Sequence, residues 1–218
     1  MHLPFSKPLN TICIFHISKK TLYIISVMSK ERSANIISAV THPFIWIPLM
    51  FLIVGFKEFQ FLPDKGLIFL LSLILISLFL FLLFSYKKRV IPDIYLIDRR
   101  ERRKFIILTS IIVMPILIFT MLFLDIPRVV ELMIYLLFIN IVIFFLVTRF
   151  IKISAHIGVV NSIILGLSLT YGAPFLLLML LEIPIAWARY TLKHHTILEI
   201  ILAFIISSIL SSIVFIVF

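Results

Sequence analysis

Residues 66–86 run for 21 positions without a charged side chain, and residues 200–218 for 19. Stretches of that length suit α-helices crossing a hydrocarbon layer about 30 Å thick, at about 1.5 Å per residue. A barrel strand would instead alternate apolar and polar positions over about ten residues. Lipid offers the backbone no hydrogen bonds, so only helices and closed barrels can span it. The composition points the same way. Hydrophobic residues make up 62% of the chain and charged residues 14%, against about 45–50% and 25% in soluble domains. The expected fold is all-α, a polytopic membrane helix bundle of about six to seven transmembrane helices.

Seven spans are predicted, near 36–56, 67–86, 105–124, 129–148, 155–171, 174–188 and 197–218. Residues 35–218 form the expected membrane domain. Residues 1–34 read as a polar or interfacial extension, because Lys19 and Lys20 interrupt its apolar stretch. It lacks the apolar core and cleavage site of a cleavable signal, and translation could begin at Met28. Cys13 is the only cysteine, which excludes an internal disulfide and a cysteine-based metal cluster.

The formal charge is +10. In a chain like this it is read first as topology, and no nucleic-acid partner is expected. With the spans above, 17 of the 20 Lys and Arg residues fall on one side, leaving Lys57, Lys65 and Arg128 on the other. The positive-inside rule then puts the N-terminus and the basic loops in the cytoplasm and the C-terminus outside, in a cell membrane.

Three polar clusters stand out. They are Asp98-Arg99-Arg100-Glu101-Arg102-Arg103-Lys104, Lys152-Ile153-Ser154-Ala155-His156, and the stretch from Arg189 through His195 to Glu199. Two spans separate each from the next, so all three lie at one membrane face. Arg99, Arg102 and Arg189 offer planar, permanently charged donors suited to phosphate oxygens. His195 sits at a helix start, where unbonded N–H groups favour an anion. Glu199 follows four residues later on the same helical face. A carboxylate there can fix the imidazole tautomer, leaving the other ring nitrogen to attack. His156 comes from a different helix and can serve as general acid, while Ser154 can donate to a phosphoryl oxygen. Together these are the parts for phosphoryl transfer through a phosphohistidine, with no metal or other cofactor required. Elsewhere, Glu182 is an intramembrane acid, a functional candidate by default. Asn140 and Asn161 are expected to hydrogen-bond between helices, and His42 is expected to serve packing.

Arg189-(five residues)-His195-(three residues)-Glu199 resembles the third signature of the type 2 phosphatidic acid phosphatase and vanadium haloperoxidase superfamily, Ser-Arg, five residues, His, three residues, Asp. Ile153-Ser154-Ala155-His156 is similar to its second, Pro-Ser-Gly-His. Arg99-Arg100-Glu101-Arg102 and Thr41-His42-Pro43 are similar to segments of divergent membrane members. The first signature, Lys, six residues, Arg-Pro, has no counterpart here. The resemblance covers residues 36–218. It implies that His195 is the nucleophile, Glu199 its orienting acid and His156 the proton donor to the leaving oxygen. Arg189, Ser154, Lys152, Arg99 and Arg102 would hold the phosphate of a lipid substrate such as phosphatidate, phosphatidylglycerol phosphate or a polyprenyl phosphate. Two rival readings stay open: a superfamily member without catalysis that binds or moves phospholipid, and an unrelated transporter-like bundle.

A thiol introduced at position 100 is expected to be labelled from the cytoplasmic side and one at position 218 from outside. Modification of intact cells by a membrane-impermeant maleimide checks it.

Overall fold

The computed structural model describes residues 19–58, 99–123 and 126–218, and every regular element among them is helical. In order they are α1 (Lys19–Val40), α2 (Pro43–Glu58), α3 (Arg99–Phe123), α4 (Arg128–Thr148), α5 (Ala155–Tyr171), a 3-10 segment (Ala173–Leu181), α6 (Glu182–Thr191) and α7 (Ile197–Val217). Helix α1 passes without a break through residue 34, where the polar extension was expected to end.

Four segments are long and apolar enough to cross a membrane: Ile106–Phe123, Arg128–Thr148, Ala173–Thr191 and Ile197–Val217. The bent pair Met28–Val40 and Pro43–Glu58 makes five if it counts as one crossing. This set of apolar helices is that of a multi-pass membrane protein. It is smaller than the expected six to seven for two reasons. The span expected at 67–86 lies outside the described residues. Helix α5 has 17 residues and reaches about 25 Å, less than the roughly 30 Å of hydrocarbon.

The first expected span, 36–56, is two helices meeting at 42°. Pro43 has no N–H and crowds the residue before it, so the helix stops at Thr41-His42 and restarts with proline in its first turn. The Thr41 hydroxyl donates to the Ile37 carbonyl at 2.7 Å, tidying the end of α1. His42 caps α2: its Nδ1 accepts the Phe44 N–H at 3.3 Å, and its carbonyl accepts from Ile45 and Trp46.

Helix α5 is the axis of the bundle. Eleven of its 17 residues are buried, and it packs on α2, α4, the 3-10 segment, α6 and α7. Both expected asparagine bonds are present. Ser162 donates to Asn140 Oδ1 at 3.2 Å, linking α5 to α4, and Asn161 Nδ2 donates to Ser207 Oγ at 2.7 Å and to the Phe204 carbonyl at 3.1 Å on α7. After α5 the chain turns at Gly172, whose φ of 103° and ψ of 172° favour glycine. The next nine residues wind as a 3-10 helix with none of them buried. The tighter winding lengthens the segment: nine residues at about 2.0 Å and ten at about 1.5 Å span roughly 33 Å, some 4–5 Å more than an α-helix of equal count. So the short sixth span is long enough to cross a bilayer.

Contacts define two ends of the bundle. At one, Tyr171 donates to Glu58 at 2.9 Å, and Arg128 donates to the carbonyl of Phe218, whose ring stacks on Tyr135. At the other, Ser38, His42, Lys152, His156, Arg189 and His195 gather. Chain reversals thus bring the second and third polar clusters together, as the count of crossings predicts.

Helices α4 and α5 approach closely at Gly158, where an added Cβ would lie 2.0 Å from Cζ of Phe144. Alanine there gains about 1 kcal/mol of helix propensity, but overpacking costs about 1–3 kcal/mol. Gly158→Ala is expected to lose up to about 2 kcal/mol net, and Phe144→Leu in the same chain to recover most of it, read by unfolding in detergent micelles.

Candidate functional site

The site begins with the turn that joins α6 to α7. Helix α6 ends at Thr191, and Lys193 takes a φ of 55°. That is the left-handed region, which costs a residue with a side chain about 1–2 kcal/mol. The reversal lets the N–H groups of His194 and His195 both donate to the Arg189 carbonyl, at 3.1 and 3.3 Å. His195 is therefore fixed relative to Arg189 by backbone bonds alone.

Thr196 caps α7. Its hydroxyl accepts the Glu199 N–H at 3.3 Å, while Glu199 Oε2 accepts the Thr196 N–H at 3.1 Å, a reciprocal capping box. The same Oε2 lies 3.1 Å from His195 Nδ1, and the Lys152 carbonyl lies 3.1 Å from that nitrogen too. Both neighbours can only accept, so Nδ1 carries the proton and Nε2 carries the lone pair of the neutral ring. The expected His195–Glu199 pair is thus formed, with the geometry that orients a histidine nucleophile. The ring is buried, its side chain 1% exposed.

Arg189 is 1% exposed, on the face of α6 that also buries Ile185 and Ala188. Its Nη1 donates to Ser38 Oγ at 2.6 Å. Helix α1 comes that close because Ala34 and Ser38, with Thr41 just past its end, are small, one turn apart and buried. The Ser38 carbonyl in turn accepts from His156 Nε2 at 3.1 Å. The His42 ring meets His156 edge-on, with centroids 5.1 Å apart. Arg189 lies close enough to His42 and His156, and His195 to His156, for their charges to interact. Ser154 stands before α5, fully buried, and its hydroxyl has no hydrogen-bond partner in the structure.

A depression of about 750 Å³ opens beside this cluster, lined by Lys152, Lys193, His194, His195 and Glu199 among others. Arg189, Ser154 and His156 do not line it; they are packed between α1, α5 and α6. Lys152 meets His195 through its backbone carbonyl and also lines the depression. Helix α3 lies along α4, and the side chains of Arg99 and Arg102 fall outside the described residues. Glu182 is buried with both carboxylate oxygens lacking a hydrogen-bond partner. It sits seven residues before Arg189, about 10 Å along α6, away from the cluster.

The sequence reasoning missed Ser38 and assigned His42 to packing. The local signal for Ser38 is weak, a serine in a stripe of small residues. His42 was marked by the proline after it.

Comparison with protein-family models, with characterised proteins and with solved structures returns no match for this chain.

The capping box separates two tasks of Glu199. Thr196→Ala is expected to cost about 1 kcal/mol of stability. Glu199→Gln, which keeps an acceptor for the Thr196 N–H, should stay within about 0.5 kcal/mol of wild type. Thermal melting in detergent measures both.

Proposed function

We propose that this chain is a membrane-embedded lipid-phosphate phosphatase working through a phosphohistidine. It would be a divergent relative of the type 2 phosphatidic acid phosphatases, with six to seven transmembrane helices and its site at the cytoplasmic face of the cell membrane. The observation that carries the reading is the His195 ring, held at Nδ1 by Glu199 and the Lys152 carbonyl so that Nε2 bears the lone pair.

In this reading His195 Nε2 attacks phosphorus and the bond to the lipid oxygen breaks. That oxygen takes a proton from Nδ1 of His156, which enters the step as an imidazolium beside the anionic substrate, its Nε2–H held by the Ser38 carbonyl. Water then attacks the phosphohistidine, returns a proton to His156 Nδ1 and releases phosphate, with His195 restored. Arg189 and Ser154 hold the phosphoryl oxygens in a site where preorganised donors count for more than in water. Arg99, Arg102 and Lys152 draw the anionic headgroup toward the site. The substrate is an amphiphile such as phosphatidate, phosphatidylglycerol phosphate or a polyprenyl phosphate or diphosphate.

A second reading draws on the packing of Arg189, Ser154 and His156 away from the depression. It makes the chain a relative without catalysis that binds phospholipid.

Purified protein is expected to release phosphate from lipid phosphates in EDTA. His195→Ala should abolish release, and Glu199→Gln should lower kcat by about 10²-fold or more through the lost orienting charge, on the scale of general acid–base effects. Tight lipid binding with no release from any of these lipids favours the second reading. Unchanged rates in His156→Ala and Glu199→Ala would remove the site assignment.

A further inference from the structure

The break between α1 and α2 does more than bend a span. It carries Ser38 and His42 into the cluster that α5 and α6 supply. We infer that His42 is a third imidazole of the site, donating its Nε2–H to a phosphoryl oxygen of the bound substrate; this rests on the phosphatase reading above.

The argument starts from the tautomer. The Phe44 N–H donates to His42 Nδ1 at 3.3 Å, so in the neutral ring that nitrogen holds the lone pair and Nε2 holds the proton. The ring is clamped on two sides. It stacks on Phe44, with centroids 4.8 Å apart, and stands edge-on to His156 at 5.1 Å. Its orientation is therefore set by the cap and by packing before any ligand arrives. Arg189 lies near enough to act on the ring electrostatically. One turn earlier, Ser38 holds both Arg189 and His156. The fully buried Ser154 hydroxyl, two residues before His156, has no partner.

The Arg189 guanidinium and the His42 ring stand close to His156, and the Ser154 hydroxyl comes from two residues before it, so three separate elements bring donors to this end of the bundle. Donors fixed in advance are what a phosphoryl group, gaining negative charge on its oxygens, requires. His42 supplies its donor from the junction of α1 and α2. It acts as a neutral donor, because its own Nδ1 is committed to the cap.

The bland alternative is that His42 only caps α2, and a conservative substitution separates the two. Asparagine is a strong N-cap residue, so His42→Asn keeps an acceptor for the Phe44 N–H and removes the Nε2–H. His42→Ser does the same with a shorter arm and serves if the first variant melts early. Orthovanadate is the probe, with affinity measured by calorimetry on the detergent-purified full chain, alongside phosphate release from phosphatidate. The expected result is a melting temperature within a few degrees of wild type, vanadate affinity at least tenfold weaker, and kcat reduced ten- to a hundredfold. Wild-type affinity and wild-type kcat in a folded His42→Asn would overturn the inference and leave His42 a cap. A wild-type protein that binds vanadate but hydrolyses nothing would sink the phosphatase reading alone, and the affinity ratio would still decide His42. A wild-type protein that binds no vanadate would sink both.

Discussion

A guanidinium buried inside a helix bundle obliges its surroundings to hold still around it, because a charge taken from water must be met by fixed dipoles. Arg189 has this effect here. Its side chain draws α1 against α6 through Ser38, and its carbonyl anchors the turn that presents His195. Through the same Ser38, whose carbonyl takes the His156 N–H, α5 is tied into the arrangement. Four helices thus meet around one residue; of the two proposed catalytic histidines, His195 is one hydrogen bond from it and His156 two, through Ser38. Loss of the Arg189 side chain would be felt at Ser38, and through it at His156 and the packing of α1.

Much of this was legible in the sequence, and the reasons for the rest are physical. The uncharged runs announce helices because nothing else satisfies a backbone in lipid. The His195–Glu199 spacing announces the pair that forms, although His195 lies one residue before the N-cap of α7 and Glu199 reaches back to it from the first turn. What stayed hidden depends on long-range approach or on backbone detail. Ser38 lies 151 positions from Arg189, and a lone serine in an apolar stretch reads as neutral. The direction of the His156 ring is set by α1, not by its own neighbours. Hydropathy passes smoothly over Thr41-His42-Pro43, so one span was expected where proline chemistry makes two helices. No residue in 173–181 demands 3-10 winding, and a count of positions underestimates the reach of that segment.

Economy of partners marks the turn before α7. One carboxylate oxygen of Glu199 closes the capping box and faces His195, and one carbonyl of Arg189 receives two N–H groups. Local folding and proposed chemistry therefore share the same atoms. The left-handed Lys193 is part of that sharing, since a relaxed backbone there would not fold the loop back onto Arg189.

The length of α5 carries a consequence for the surrounding bilayer. At 17 residues it is four residues, or about 6 Å, shorter than α4 and α7. Neighbouring helices wrap it, so lipid thickness acts on them and not on it. The rim of the bundle can match the bilayer while its axis stays short. Since α5 bears Ser154 before its first residue and His156 in its first turn, both groups ride on the element that lipid thickness does not pull on, and a change of bilayer would move the rim helices relative to them.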